Sequence, residues 1–313
     1  MFKAKVALVK GTEPKTMVLR ALSMIEAENI FTKEDKVLLK PNYVRPVKPS
    51  TGVTTDSRVV EGIIEFILGV GVQEITIGEG GNRRTDRAFD VTGIREVASR
   101  HGIEVVNFNK DEGVEVKFPS ARTLEKVRIA RTVIERSCIV NVPTLKIHHM
   151  TNVTLSIKNL MGVIVGDRGI IMHRQINEKL VDLASFLKPR LNIIDGIVGS
   201  EMDEVHGRPI PMNIIIAGTD IVATDAVGSA VMGVDPETVR HIKLAEERGL
   251  GIADLNEITV IGERIEDVKK NFSREFSLRR LKDYGFDHDV GERILRPIWE
   301  ETGSNLPFRS DVG

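Results

Sequence analysis

A single lysine stands inside a long apolar stretch of this chain. Charged residues make up 28% of the protein, yet Lys158 is the only ionisable residue between Thr151 and Gly166. An ammonium group that leaves water without gaining a partner carries a large desolvation cost. Lys158 therefore needs a carboxylate or a bound anion beside it, and Asp195 and Asp225 are the candidate carboxylates.

Other polar residues follow several short β-branched runs, which we predict to be strands. In a parallel sheet the carboxyl ends of the strands meet at one edge, and ligands bind there. The residues at such positions are Lys40, Asn42, Thr54, Thr55, Glu79, Lys146, His148 and Asp195. We therefore predict one composite site to which several loops contribute.

These residue types are typical of anion binding combined with proton transfer. Lysine and arginine hold carboxylate or phosphate groups through charge-assisted hydrogen bonds. Carboxylate and imidazole groups move protons. The predicted catalytic residues are Asp195, Glu79, His173, Lys146 and Lys158, and the predicted substrate-binding residues are Lys40, Asn42, Thr54, Thr55, Asn159 and Arg168.

A divalent metal is a further hypothesis, with Asp195, Asp225 and His148 as its candidate ligands. His148 and His149 are adjacent, so on a regular helix or strand they point in different directions and form a poor metal motif by themselves. One of them could still join His173 or an acidic residue from elsewhere in the chain. Glu201, Asp203 and Glu204, with His206, could bind a divalent cation through oxygen ligands. Their spacing fits no EF-hand, so we interpret this acidic loop as solvated.

Some candidates also have a structural interpretation. Thr55 or Asp56 could cap the helix that follows, and Asp220 could cap another. Asp225 lies in an apolar helical face and would need a buried lysine as its partner. These alternatives remain open at the level of sequence.

We predict a helix over Asn152–Val163. Its period places Asn152, Ser156 and Asn159 on one stripe, while Lys158 points away from that stripe. Either the stripe or Lys158 then lines the site.

Several familiar enzyme classes lose support. The sequence GEGGNR lacks the last glycine of the dinucleotide fingerprint, which argues against a nicotinamide cofactor. The sequence contains no nucleophile elbow, P-loop or HExxH motif. Cys138 is the single cysteine, so an iron-sulfur cluster held by this chain is excluded.

Composition points to a globular protein that works in the cytoplasm. The 44 basic and 45 acidic residues give a net charge of -1, which provides no field for nucleic acid or an anionic membrane. No uncharged apolar run is long enough to span a bilayer, and no signal peptide is recognisable. Abundant Lys, Arg and Glu with one cysteine resemble thermophile proteins.

Alternating strand and helix patterns predict an α/β protein, with mostly parallel sheet flanked by helices. A short antiparallel excursion before residue 130 suggests two α/β lobes, at 1–130 and 131–271. Residues 272–313 read as a C-terminal helical extension that packs on the core. Their aromatic and arginine content also suggests a contact between copies in a homo-oligomer.

Ordered motifs along residues 1–265 resemble the domain of unknown function 362 family. They are VLLKPNYV with TGVTT, EITIGEGG, IVNVPTLKIHHMTNVTLSIKNLMGVI, LNIIDGIVG and MNIIIAGTDIVATDAVGSAVMGVDP. Many relatives are similar to iron-sulfur proteins through an added ferredoxin-type cysteine unit, which this chain lacks. The resemblance implies that its motif residues share one cleft: Lys40, Asn42, Glu79, Lys146, Lys158, Asn159, Asp195, Asp220 and Asp225.

The favoured hypothesis is an enzyme for a small carboxylate or phosphate, with its site in a cleft between the lobes and with a divalent metal as an option. A second hypothesis is a non-catalytic small-molecule-binding or assembly protein. A third is a flavin- or nicotinamide-dependent oxidoreductase.

Overall fold

The fold was analysed in a computed structural model that describes residues 4–82 and 84–274. The predicted C-terminal extension, with its predicted contact between copies, lies almost wholly outside this range.

One large sheet organises the chain. It has ten strands, eight of them in the order β12-β1-β11-β10-β7-β2-β3-β4, with the β8–β9 hairpin attached to β10. β5 and β6 form a separate antiparallel pair. The strands are β1 (Ala4–Lys10), β2 (Lys36–Pro41), β3 (Glu74–Glu79), β4 (Glu104–Asn107), β5 (Gly113–Lys117), β6 (Lys126–Ala130), β7 (Cys138–Val142), β8 (Thr144–His148), β9 (Asn152–Thr154), β10 (Leu191–Glu201), β11 (Arg208–Gly218) and β12 (Ile258–Gly262).

Helices cover both faces of the large sheet. They are α1 (Pro14–Met24), α2 (Ser57–Gly69), α3 (Thr85–Thr92), α4 (Ile94–His101), α5 (Arg131–Ile134), α6 (Ser156–Asn159), α7 (Arg168–Met172), α8 (Ile176–Leu187), α9 (Ile221–Val231), α10 (Arg240–Glu247) and α11 (Ile265–Val268). Short 3₁₀ turns lie at Ala27–Ile30, Pro49–Thr51, Leu160–Val163, Pro236–Thr238 and Leu255–Glu257. Within the described residues, none of the helices has the length and apolar character of a membrane span.

Two apolar cores lie on opposite faces of the sheet because side chains alternate along each strand. In β2, Val37 and Leu39 pack into one core and Leu38 into the other. α1 and α2 cover the first face, while α8 and α9 cover the second. This burial on both faces explains the continuous apolar runs of the central strands.

The α/β fold class is confirmed: β2, β3, β4 and β7 pair in parallel, with helices on both sides. The antiparallel excursion before residue 130 is also confirmed, as β5 and β6. β2 from the first predicted lobe pairs directly with β7 from the second. A division near residue 130 stays a prediction.

The predicted helix over Asn152–Val163 is wrong. Asn152–Thr154 forms β9, which pairs with β8, and only Ser156–Asn159 is α-helical before a 3₁₀ turn. Asn152 has a φ of 63°, which a continuous helix does not allow. Pairing with β8 outweighs the helical period of the apolar residues.

Candidate functional site

The β8–β9 hairpin supplies one polar face to the site. Alternation along β8 buries Leu145 and Ile147 in the core and turns Lys146 and His148 to the other face. The register places Thr154 opposite Lys146. A strand with apolar and polar residues in alternation thus presents two site residues side by side.

A fully buried ion pair joins β2 to β3. Lys40 Nζ donates to Glu79 Oε2 at 2.7 Å, and Gly80 N donates to the other oxygen of Glu79 at 2.7 Å. Burial lowers the pKa of Lys40, although the charge of Glu79 opposes this effect. Lys40 and Glu79 therefore neutralise each other within the protein, where an unpaired charge would be costly.

Asparagine amides connect this ion pair to the hairpin. Asn42 Nδ2 donates to Asn159 Oδ1 at 2.8 Å, and Asn159 Nδ2 donates to Asn141 Oδ1 at 2.8 Å and to the carbonyl of Lys40 at 3.2 Å. Asn42 Oδ1 accepts from Lys146 Nζ at 3.0 Å. The predicted residues Lys40, Asn42, Lys146 and Asn159 are thus brought together.

Lys146 is buried among neutral acceptors. Its ammonium donates to Asn42 Oδ1 and to the carbonyl of Val53 at 2.9 Å, and it has no ion-pair partner among the described residues. Burial lowers the pKa of Lys146 to about 7, with Glu204 opposing and Lys158 adding to the shift. This amine therefore changes its charge close to neutral pH.

Lys158 is half-buried beside Met161, whose Sδ lies 3.4 Å from its Nζ. Burial lowers its pKa to about 8, and the positive charges of Arg168 and Lys40 act in the same direction, against Glu204. No carboxylate forms an ion pair with Lys158 within the part of the chain that the structure describes. The expected pairing with Asp195 or Asp225 is therefore wrong.

These two aspartates have other partners. Asp225 is buried in α9 and accepts from the amides of Ser156 and Ile157 at 2.7 and 2.9 Å, so it fixes the start of α6. Asp195 accepts from the amides of Asp56 and Ile197. Burial, together with the carboxylate of Asp56, raises the pKa of Asp195 to about 7. Neither aspartate contacts the lysines.

His148, His149 and Glu204 form a cluster next to the lysines. The two imidazole rings stack at 4.9 Å with an angle of 9°, and His149 Nδ1 lies 2.9 Å from Glu204 Oε2. The expectation that adjacent histidines diverge fails because His148 ends β8 and His149 begins a turn. The acidic loop is likewise not solvated, since Glu201 and Asp203 are buried and Glu204 faces the histidines.

The remaining predicted binding residues hold loops in place. Thr54 Oγ1 donates to the carbonyl of Val47, and Thr55 Oγ1 donates to that of Val142. Arg168 donates to the carbonyl of Gly81 and to that of Ile164 at 3.2 Å, and to Asn109 Oδ1 at 3.0 Å. Asp56 and Asp220 cap α2 and α9, as their alternative interpretation predicted.

His173 follows α7 on the exposed side of the site. Loss of surrounding water, and then the charges of Lys158 and His149, lower its pKa to about 4. A cavity of about 630 Å³ lies elsewhere, between the end of α9, β12 and α11, and no predicted site residue lines it.

Sequence reasoning named Glu204 only within an acidic loop that it interpreted as solvated, and it assigned neither His149 nor Asn141 to the site. The sequence does indicate strand β8, because polar and apolar residues alternate along Thr144–His148. Glu204 lies far from the histidines in sequence, and only the pairing of β8 with β10 shows that the two segments meet.

The chain belongs to the family described as Domain of unknown function (DUF362), whose model matches residues 37–230. All residues of the site lie within this range. The chain is 24% identical over 292 residues to the Thylakoid-associated protein sll1697 of Synechocystis sp., with 88% of this chain and 89% of that protein covered. The lactate racemase apoprotein from Thermoanaerobacterium thermosaccharolyticum matches with a TM-score of 0.44 and 12% identity, over 72% of this chain and 57% of that one, a little more than half its length.

Proposed function

We propose that the protein is an enzyme that acts on a small carboxylate or phosphate at the lysine site, defined as Lys40, Lys146 and Lys158 with Glu79 and Asn42. The observation that carries the proposal is the half-buried ammonium of Lys158, which has a thioether as its hydrogen-bond partner and no ion-pair partner among the described residues. A bound anion would supply the charge that compensates it.

Lys146 favours an enzyme over a passive binding protein. An amine with a pKa of about 7 can both release and take up a proton at neutral pH, which is what general acid–base catalysis requires. Its contact with Asn42 fixes the position of Nζ. In this proposal Lys158 holds the substrate anion, Lys146 moves a proton, and Glu79 positions Lys40.

Binding of simple anions tests the proposal. The midpoint of thermal unfolding is measured with inorganic phosphate and with a panel of small mono- and dicarboxylates, for the wild type, Lys158→Met and Lys126→Met. Methionine keeps the length of lysine and removes its charge. Lys126 is an exposed lysine on β6 and serves as the matched control.

At least one anion is expected to raise the midpoint of the wild type and of Lys126→Met by several degrees, because a ligand at about 100 times its Kd stabilises the folded state by about 2.7 kcal/mol. The shift should be lost in Lys158→Met. Equal shifts in all three proteins, or no shift in any of them, would disprove the anion site.

A further inference from the structure

A second kind of ligand fits beside the lysine site. We infer that His148, His149 and Glu204 bind one divalent transition-metal ion, such as Zn²⁺ or Co²⁺. The ion would lie next to the bound anion, so the inference deepens the proposed function. A catalytic role for the ion rests on that proposed function. Its evidence is the geometry of three side chains.

The potential ligand atoms already converge. His149 Nδ1 and His148 Nε2 lie 2.9 and 3.9 Å from oxygens of Glu204, and one ligand atom from each residue lies within 4.8 Å of the others. Ligand atoms around a tetrahedral zinc ion are about 3.4 Å apart, as bond lengths near 2.1 Å require. Small side-chain movements would therefore admit the ion.

The charge of Glu204 supports the same inference. Its side chain is 16% exposed, and its ion-pair partners among the described residues are the two histidines, with no lysine or arginine. A metal ion could replace the proton that His149 Nδ1 and Glu204 share, and that proton would leave to solvent.

A second group of similar composition already has lysine and arginine partners for its carboxylates. Glu61, Glu65 and His101 also lie within reach of one ion. However, Lys15 pairs with Glu61 and Glu65 at 2.9 and 2.8 Å, and Arg100 pairs with Glu61 at 2.6 Å. A metal would have to displace these cations, so this group provides an internal control.

Two nitrogen donors and one carboxylate favour zinc, cobalt or nickel over magnesium, which prefers oxygen ligands. Binding would also change the hydrogen bonding of His148. Its Nδ1 accepts the amide of Met150 at 3.0 Å, which keeps the proton of the neutral ring on Nε2. Coordination through Nε2 moves that proton to Nδ1 and breaks the bond to Met150.

The test is titration of the EDTA-treated full-length protein with ZnCl₂ in a calorimeter, for the wild type, His149→Ala, Glu204→Gln and His101→Ala. One equivalent is expected to bind to the wild type and to His101→Ala with equal affinity. At least a ten-fold loss of affinity is expected for His149→Ala and Glu204→Gln. Spectra of ¹⁵N-methionine-labelled wild type should show a shifted Met150 amide on addition of zinc.

Absence of stoichiometric zinc binding to the wild type overturns the inference, and so does equal binding by all four proteins. Whether the wild type binds one equivalent of zinc can be decided even if a variant fails to fold. Phosphate and carboxylate binding, measured on the same EDTA-treated protein, separates this inference from the proposed function. Anion binding without zinc binding would leave the lysine site intact and remove only the metal.

Discussion

Lys40 and Glu79 are side chains that water does not reach, with exposed fractions of 0% and 3%. Each charge compensates the other, and the amide of Gly80 satisfies the second oxygen of Glu79. A pair of this kind costs desolvation energy when it forms, but removal of one member leaves a buried charge without a partner. The pair therefore positions loops at the site without itself being free to bind a substrate.

Replacement of both members together should destabilise the protein less than the sum of the two single replacements. We expect Lys40→Met or Glu79→Gln to lower the free energy of unfolding by about 3–5 kcal/mol. The double variant should lose clearly less than the sum of the two. Urea denaturation at pH 7 measures all three, and strictly additive losses would show that the pair is not coupled.

Lys146 should make stability depend on pH in the alkaline range. Its pKa is about 7 in the folded protein and near 10.5 when unfolded, so between these values the unfolded state binds more protons. The contribution of Lys146 to the free energy of unfolding must therefore rise with pH in this range. We expect the free energy of unfolding of the wild type to increase relative to Lys146→Met by roughly 2 kcal/mol between pH 7.5 and 9.5.

Urea denaturation at both pH values checks this prediction, with Lys126→Met as the control for general alkaline effects. A difference between wild type and Lys146→Met that does not change with pH would mean that Lys146 keeps its ordinary pKa.

The 3₁₀ turn Leu160–Val163 lies against the buried ion pair of Lys40 and Glu79. A Cβ atom on Gly162 would stand 2.2 Å from Glu79 Oε1 and 2.9 Å from Lys40 Nζ. The glycines of the loop after β3 serve a similar purpose, since a Cβ on Gly81 would stand 2.2 Å from the carbonyl of Tyr43. Close contact between loops explains these glycines.

Gly162→Ala should therefore disturb the turn and the ion pair together. Overpacking of this kind lowers the free energy of unfolding by about 1–3 kcal/mol. Gly69→Ala, at the end of α2, is the control because nothing lies within 4 Å of its Cβ, and it should be neutral or slightly stabilising. If the two variants unfold at the same urea concentration, Gly162 does not pack as described.

The hairpin of β8 and β9 shows what local sequence can and cannot predict. Alternation in Thr144–His148 indicates a strand, and the apolar period over the next residues indicates a helix. Tertiary pairing decides between them, and it converts Asn152–Thr154 into β9. Strands with continuous apolar runs, such as β7, were predictable because burial on both faces leaves no competing pattern.

Ion pairs between residues that are distant in sequence hold the sheet together. Arg190, just before β10, pairs with Asp35, just before β2, at 2.7 Å, although the two residues are 155 positions apart. Burial would raise the pKa of Asp35, but hydrogen bonds from Arg190, the amide of Thr32 and Ser137 outweigh it and lower the pKa to about 2. No local pattern in the sequence predicts this pair.

Asp35→Asn should destabilise the protein at neutral pH but not in acid. The folded-state pKa is below the unfolded one, so the contribution is present above about pH 4 and is lost as the pH falls towards 2. We expect a loss of about 2 kcal/mol at pH 7 that shrinks by pH 2.5. Urea denaturation at both pH values tests this, and a loss that stays constant would contradict it.

The same long-range packing explains which site residues could be predicted from the sequence and which could not. Lys40, Asn42, Lys146 and Asn159 were predictable because each lies in or beside a recognisable polar interruption of an apolar run. Their mutual contacts, and the partners of Asp195 and Asp225, depend on how distant segments pack. Glu204 was assigned to a solvated loop because that loop is acidic, and its contact with the histidines depends on the pairing of β8 with β10.

Diffraction from crystals of the protein soaked in selenate, an anomalous scatterer that mimics small oxyanions, shows whether Lys158 holds an anion. We expect an anomalous peak within hydrogen-bond distance of Lys158 Nζ that disappears in Lys158→Met. An occupied selenate site elsewhere, with none at Lys158, would contradict it.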